Sequence, residues 1–459
     1  MTNGANITKK CSCILMLSFF FNNFCFLIPS ICHAQSTGDS MDEVLTLKQA
    51  IEIALKSQPQ IEAQQGVILA DLAKTGQVRG NYYPHVTLGS AYAKISPVSN
   101  ETSATTSLAG LPPGGNIPTG ISSRAESYGQ YSAVGYVNQL IFDFGKTTSQ
   151  IKAQNLTADS ADYDLQNVRV DVIYKVKEAY YSLLNAERTR DTAAEAVDQF
   201  KKHLEYAQNL FETGLKPKFD VTKAEVDLSN AEVYLIKAQN EVSFYRMSLN
   251  NAMGMPEILP YKVEDDFSPD QDELTYEKAL DMAFHQRPDL SSLYKLKESA
   301  EESFKAAQRS HYPTISGTGS YTYVGNDFPL DHGWTAGVNI VFPLFTGFVT
   351  SYQTAEAKAQ LAVVAANERS LKQKITLDME QGFLALKESA QRIRSTETGI
   401  KQAKENLELA MERYTSGLAV AVEISDAIIS YANARIANSS AYYDHKIAQA
   451  QIIKAIGGE

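Results

Sequence analysis

The sequence predicts a mostly α-helical chain with a membrane-type β portion, laid out as two structural repeats. Three observations predict it. The turn Leu210-Phe-Glu-Thr-Gly-Leu-Lys-Pro-Lys-Phe-Asp-Val-Thr-Lys-Ala224 returns as Arg413-Tyr-Thr-Ser-Gly-Leu-Ala-Val-Ala-Val-Glu-Ile-Ser-Asp-Ala427. Gly214 thus meets Gly417, Leu215 meets Leu418, Asp220 meets Glu423 and Ala224 meets Ala427, all at one offset of 203 residues. The 68 residues from Gly145 to Glu212 pass without a proline or an internal glycine. As helix that length spans roughly 100 Å, several times the ~30 Å hydrocarbon core of a bilayer. Four other stretches switch from helical spacing to a period of two. Helical hairpins joined to short amphipathic strands, made twice, account for all three.

The chain has 459 residues, 44% hydrophobic and 21% charged, enough for a folded core of more than one domain. Lys9 and Lys10 precede an apolar run from Cys11 to Ile31, and Cys32-His-Ala34 offers small residues where a signal peptidase reads. Residues 1–34 are therefore expected to be a cleaved signal peptide. Asn22, Asn23 and Pro29 interrupt the run and argue against a membrane anchor. All four cysteines, Cys11, Cys13, Cys25 and Cys32, fall in this leader, so the mature chain is expected to lack disulfides, thiolate nucleophiles and Cys-ligated metal. Pro29-Ser-Ile31 lacks the small residue needed before a lipid-modified Cys32. Losing Lys9 and Lys10 and no acid takes the formal charge from −11 to −13, which argues against nucleic acid as a partner. After the leader no apolar run reaches the ~18 residues of a spanning helix, so any membrane crossing falls to strands.

The stretch Leu45-Thr-Leu-Lys-Gln-Ala-Ile51 matches Leu274-Thr-Tyr-Glu-Lys-Ala-Leu280 at an offset of 229, with Pro59 on Pro288 and Tyr83-Pro84 on Tyr312-Pro313. Beyond it Gly145 meets Gly347 at 202, and Gly254 meets Gly457 at 203. The difference lies in Ser96 to Gly129, a Ser/Thr/Gly/Pro-rich segment with Leu111-Pro-Pro-Gly-Gly115 that reads as a loop. The first repeat is thus residues 35–254, with strands near 83–95 and 131–144 and a helical hairpin over 145–254. A Pro- and acid-rich linker covers 255–273. The second repeat is 274–459, with strands near 313–324 and 333–346 and a hairpin over 347–457.

Among the strands, Trp334, Ala336, Val338, Ile340 and Phe342 alternate with Thr335, Gly337, Asn339 and Val341. Thr314, Ser316, Thr318, Ser320 and Thr322 form one face against Ile315, Gly317, Gly319, Tyr321 and Tyr323. Val86, Leu88 and Tyr92 mark the first strand, and Val134, Tyr136, Asn138, Leu140 and Phe142 mark the second less cleanly. Each is about a dozen residues, enough to cross a bilayer when tilted. Tyr83, Tyr131, Trp334 and Phe345 near strand ends suit interfacial girdles. The bland alternative is a pair of soluble hairpins packed on helices.

In the helices, Ala179, Leu183, Ala186, Ala193, Val197, Phe200, Leu204, Ala207 and Phe211 follow three-four spacing, and Val168, Val172 and Val176 lead in with a stutter. The return has Ala224, Leu228, Ala231, Leu235, Ala238, Val242, Tyr245 and Leu249, whose alanines let antiparallel helices approach closely. Ala427, Tyr431, Ala434, Ala441 and Ala448 repeat the device. Four strands cannot close a membrane barrel, and an open sheet would leave backbone groups bare in lipid at several kcal/mol each. The chain is therefore expected to share its barrel with copies of itself. Three copies give twelve strands and a wet lumen, which the polar face from Thr314 to Thr322 favours over the filled eight-strand alternative.

From residue 45 to Gly457 the chain resembles the TolC family of outer-membrane efflux and secretion ducts. The resemblance rests on the repeated Leu-Thr openings with Pro59 and Pro288, the strand exits Leu140-Ile-Phe-Asp-Phe-Gly145 and Phe342-Pro-Leu-Phe-Thr-Gly347, and the two Gly-Leu tips. It implies a homotrimer in the cell outer membrane, with a twelve-strand barrel in the lipid and a long α-helical barrel extending into the periplasm. It also implies a periplasmic adaptor protein and an inner-membrane efflux or secretion pump as partners. The family's periplasmic gate falls by resemblance on Tyr414, Glu423 and Asp426, with Asp220 on the facing hairpin. Three copies of two carboxylates on a narrow ring would attract cations. Ala419 stands where an arginine helps latch the family's closed state, which leaves closure by that network open.

Each site has a second reading. Asp220 suits a helix N-cap, Glu423 a helix N-terminus, Asp426 a solvated face, and Tyr414 packing against the returning helix. Gly214 and Gly417 need no role beyond the turn, while Leu215 and Leu418, apolar at a tip, are candidates for adaptor docking. Enzymatic function is not expected. The histidines His85, His203, His285, His311, His332 and His445 lie far apart, no Gly-x-Ser-x-Gly occurs, and Pro112-Pro-Gly-Gly115 lacks a phosphate-loop lysine. No cofactor or metal is expected. The rival from another class is a periplasmic coiled-coil scaffold without a pore.

Overall fold

Both repeats lay down the same elements in the same order in the computed structural model, which describes residues 44–96, 106–107, 116–117, 127–256, 261–265 and 274–458. The expected signal peptide, most of the Ser96–Gly129 loop and much of the linker lie outside the described residues. In the first repeat α1 (Leu47–Ser57) and α2 (Pro59–Gly80) precede β1 (His85–Ile95) and β2 (Tyr128–Phe142), followed by α3 (Lys146–Glu212) and α4 (Lys218–Met253). In the second, α5 (Tyr276–Gln286) and α6 (Pro288–Arg309) precede β3 (Thr314–Gly325) and β4 (Asp331–Val341), then α7 (Val349–Thr415) and α8 (Ala421–Ile456). Corresponding helices have equal lengths of 11, 22, 67 and 36 residues. The duplication read from single residues therefore extends to whole elements.

Local chemistry sets the boundaries. Thr46 caps α1 by accepting from the Gln49 amide, while the Gln49 side chain accepts from the Thr46 amide at 2.9 Å. Pro59 and Pro288 open α2 and α6, where a missing N–H costs nothing. The strand-to-helix step before α3 passes through Phe144 and Gly145, both at positive φ, and Asp143 accepts from the Gly145 and Thr147 amides at 3.1 and 2.7 Å. The second strand accordingly stops at Phe142 rather than 144. The fourth stops at Val341 rather than 346, because Pro343 has no N–H to extend a ladder. The hairpin ends Gly254 and Gly457 are left-handed, and each sits against the break between two shorter helices. A Cβ on Gly254 would lie 2.6 Å from the Ser57 carbonyl oxygen, and one on Gly457 2.8 Å from Arg287 Cα.

The four main strands form one antiparallel sheet in the order β1-β2-β3-β4. Its register separates two faces. Thr318 is opposite Asn138 and Gly337, and Ser320 is opposite Thr335, to which its hydroxyl hydrogen-bonds at 2.7 Å. The other face carries Val86, Leu88, Tyr92, Trp334, Val338 and Ile340, all exposed, with Leu88 84% so. Val134, Tyr136 and Leu140 fall on the polar side, which explains why β2 read less cleanly in sequence. Among the described residues no strand pairs with the outer edge of β1 or of β4, and every residue of β4 is exposed. Among the described residues no helix is long and apolar enough to cross a membrane.

The helices order as α4-α3-α8-α7, with α3 packed on α4 and α8, and α7 on α8. One core holds α1 against α3 and α4 through Ala50, Ala54, Leu183, Leu249 and Met253, of which the leucines and the methionine contribute about 1.5–3 kcal/mol each on full burial. Its counterpart holds α5 against α7 and α8 through Ala279, Ala283, Ile375, Met379 and Ile456. The expected three-four stripe on α3 is buried from Ala179 to Phe200 and at Ala207, but Phe211 is 43% exposed. A third core gathers at the hairpin tips.

Candidate functional site: the paired hairpin tips

The two tips share one backbone solution. At the first, the Leu215 amide donates to the Leu210 carbonyl at 2.9 Å and the Gly214 amide to the Phe211 carbonyl at 2.9 Å. At the second, the Leu418 amide donates to Arg413 at 2.8 Å and the Gly417 amide to Tyr414 at 3.0 Å. These are paired bonds that satisfy the last carbonyls of a helix, and they need a left-handed residue, supplied by Gly214 at φ 75° and Gly417 at φ 74°. Leu215 and Leu418 project from the turns, 72% and 76% exposed.

Packing then separates the two. Tyr414, near the end of α7, is 1% exposed in a cluster with Phe200 of α3, Leu407 and Ala410 of α7, and Ala419, Ala421, Ile424 and Ile428 at and after the second turn. Its ring meets the His203 ring edge-on at 5.1 Å between centroids, and Lys216 Nζ stands 5.3 Å from its centroid. Burial first and the nearby Asp220 charge second push the Tyr414 phenol above its ordinary pKa, so it stays a neutral hydroxyl.

Polar bridges cross between the hairpins around this cluster. Lys216 Nζ donates to the Ala419 carbonyl at 2.9 Å. Ser425 Oγ donates at 2.6 Å to Asp227, a buried carboxylate that also accepts from Lys223 Nζ at 2.6 Å. Higher on the bundle Arg435 of α8 pairs with Glu195 of α3. A buried carboxylate so held is costly to deprive of its partners, because the remaining charge is then bare in a poor solvent.

The predicted residues divide by burial. Asp220 is not an N-cap: α4 begins two residues earlier after Pro217, which puts Asp220 in the first turn, buried, where its charge acts on the Tyr414 phenol. Glu423 occupies the equivalent first-turn position of α8, is exposed, and pairs with Arg413 at 3.5 Å. Asp426 is exposed on the same helix. Sequence reasoning missed Lys216, Asp227, Ser425 and His203. Lys216 had a signal, since an offset of 203 from it lands on Ala419, so the cation absent from one tip is present on the other. Asp227 and Ser425 carry no local mark, because what joins them is a contact between hairpins.

Two cavities flank the joint. One of about 520 Å³ lies between α3, α7 and α8 and is lined by His203, Tyr206, Glu405, Glu408, Glu412 and Tyr414. The other, about 220 Å³, lies between α3, α4 and α8 beside Asp227. Among the described residues no cluster of three His, Cys, Asp or Glu is arranged to hold a metal ion.

Known proteins show what this arrangement is similar to. The family model described as outer membrane efflux protein matches residues 50–255 and 279–458, one match to each repeat. Outer membrane protein TolC of Escherichia coli (strain K12) is 21% identical over 449 residues, covering 94% of this chain and 86% of that protein. Outer membrane efflux protein BepC of Brucella suis is 22% identical over 348 residues, covering 74% of this chain and 75% of that protein. The solved structure of the Campylobacter jejuni CmeC outer membrane channel superposes with a TM-score of 0.77 at 17% identity, covering 90% of this chain and 85% of that one.

Proposed function

Because the chain belongs to the outer membrane efflux protein family, a family of transport channels in the cell outer membrane, we propose that three copies of it form one continuous duct from periplasm to exterior. The observation that carries the proposal is the sheet. Four strands, one face apolar and exposed, the other polar, with both edges unpaired, leave ladder groups that lipid cannot solvate. Joining β4 of one copy to β1 of the next removes every edge, and three copies make a twelve-strand barrel with Thr314 to Thr322 toward a wet lumen. The exposed faces of α4 (Val233, Ile236, Phe244) and α7 (Val363, Leu377, Leu384) stand at the two ends of the helix order and suit the same joints.

In this reading the helical barrel hands cargo from an inner-membrane efflux or secretion pump, through a periplasmic adaptor, to the outer-membrane lumen. Leu215 and Leu418, with the turns at Gly214 and Gly417, are the docking points, exposed apolar groups on rigid turns. The tips are the gate. Tyr414 and Asp220 hold the second hairpin against the first from within, and Glu423 and Asp426 face the narrow opening and select for cations. The cation that the second tip lacks at Ala419 is supplied by Lys216, which bridges to the Ala419 backbone.

Mass measurement in mild detergent is expected to give a trimer from the outer-membrane fraction, and planar bilayers a discrete conductance. A monomer released without detergent would instead support the periplasmic scaffold. Deleting the gene and scoring drug susceptibility beside the secreted proteome separates efflux from polypeptide export.

A further inference from the structure

The tip buries a histidine that the channel reading leaves without a role. His203 on α3 is 2% exposed, and among the described residues neither ring nitrogen has a hydrogen-bond partner. Tyr414 Oη, on the ring it packs against, is likewise without one. Buried polar groups are ordinarily paired, and leaving one bare costs about 1–3 kcal/mol. Both side chains line the larger cavity, so an open volume adjoins the unsatisfied imidazole.

Charges face His203 from several elements. From α4 come Asp220, Asp227 and Lys223, the last already engaged with Asp227. From α7 come Tyr414 and, around the cavity, Glu405, Glu408 and Glu412. Tyr206 is on α3 itself, and α8 brings the uncharged Ile424. Burial is the largest influence and lowers the imidazole pKa from its ordinary value, against the pull of Asp227 and Asp220 and with the push of Lys223.

We infer that His203 is a proton sensor in the joint between the hairpins: neutral while it packs on Tyr414, and on protonation driven out of that contact toward the carboxylates of Glu405, Glu408 and Glu412. The direction follows from linkage. A packed imidazole takes a proton less readily than a released one, so the contact has full strength above the ordinary imidazole pKa of ~6.5 and weakens as pH falls from there toward the lowered value. Acid loosens the tip. Only the consequence for conduction rests on the gate reading; the sensor is a property of the joint.

The test uses the full-length channel in reconstituted membranes and compares maleimide labelling of Ala419→Cys, a position 2% exposed inside the cluster, with Leu418→Cys, 76% exposed. The second site reports the reagent's own pH dependence. Labelling is read on the individual peptides by mass spectrometry. Between about pH 7.5 and about pH 5, which straddles the ordinary imidazole pKa, the labelling ratio is expected to rise roughly tenfold. In His203→Phe, which keeps an aromatic ring and cannot take a proton, the ratio is expected to stay level. His203→Gln, polar and non-titrating, gives the same readout should the phenylalanine variant fail to fold. A ratio that rises equally in both variants, or in neither the variants nor the parent, overturns the sensor. Conductance measured on the same preparations separates the two proposals: labelling that follows pH through His203 without any change in conductance keeps the sensor and overturns the gate.

Discussion

The first and second hairpin tips are the same turn in two environments. Gly214 and Gly417 have φ within a degree of each other, and the capping bonds match residue for residue. Yet Tyr414 is 1% exposed while its counterpart Phe211 is 43% exposed. Lys216 crosses to the backbone of Ala419, the residue that holds its own place in the other copy. Duplication therefore conserved the backbone, which local bonds determine, and let the side chains diverge into one tip that holds and one that is held. In the proposed gate that asymmetry gives the held tip a partner from which it can be released.

The comparison breaks most visibly at its most buried member. Tyr414→Ala empties part of the tip cluster and is expected to lower stability by about 3–4 kcal/mol in thermal unfolding, whereas Phe211→Ala stays within about 0.5 kcal/mol. Equal effects would mean that the tips are alike after all. Asp227→Ala strips Lys223 and Ser425 of their shared acceptor and is expected to cost about 2–3 kcal/mol and to raise resting conductance in planar bilayers. Lys216→Met removes one hydrogen bond between hairpins, an expected loss of about 1 kcal/mol with a smaller rise in conductance. Gly214→Ala and Gly417→Ala test the shared backbone instead. No atom crowds either position, so each should cost about 1 kcal/mol from left-handed strain, and a twofold disparity would show that the turns are not equivalent. The smallest effect on stability, below about 0.5 kcal/mol, is expected from Glu423→Gln with Asp426→Asn, both exposed, yet block of single-channel current by divalent cations should weaken. Undiminished block would remove both from the pore.

Much of the architecture was legible because its causes are local. Proline at 59 and 288, glycine at 145, 214, 254, 347, 417 and 457, and uninterrupted helix formers between them mark where helices begin and end. The alternation from Trp334 to Ile340 placed an apolar face that matches the register, while Phe342 lies beyond the strand. Where a local rule competed with packing, the reading slipped. Asp220 looks like a cap, but Pro217 sets the start of α4. Phe211 fits the apolar stripe on α3, but its ring lies 43% exposed at the tip while the neighbouring Leu210 packs against the cluster.

By itself the sequence determined that the chain is made twice, that its helices far exceed a bilayer, that its strands are too few to close alone, and which turns stand at the ends. Each of these follows from spacing and from residues whose backbone preferences act over a few positions. Only the tertiary structure decided that Asp227 meets Ser425, that Lys216 reaches Ala419, and that His203 is enclosed beside Tyr414. Those contacts join residues about two hundred positions apart, and their strength depends on burial, which no stretch of sequence specifies until two hairpins pack together.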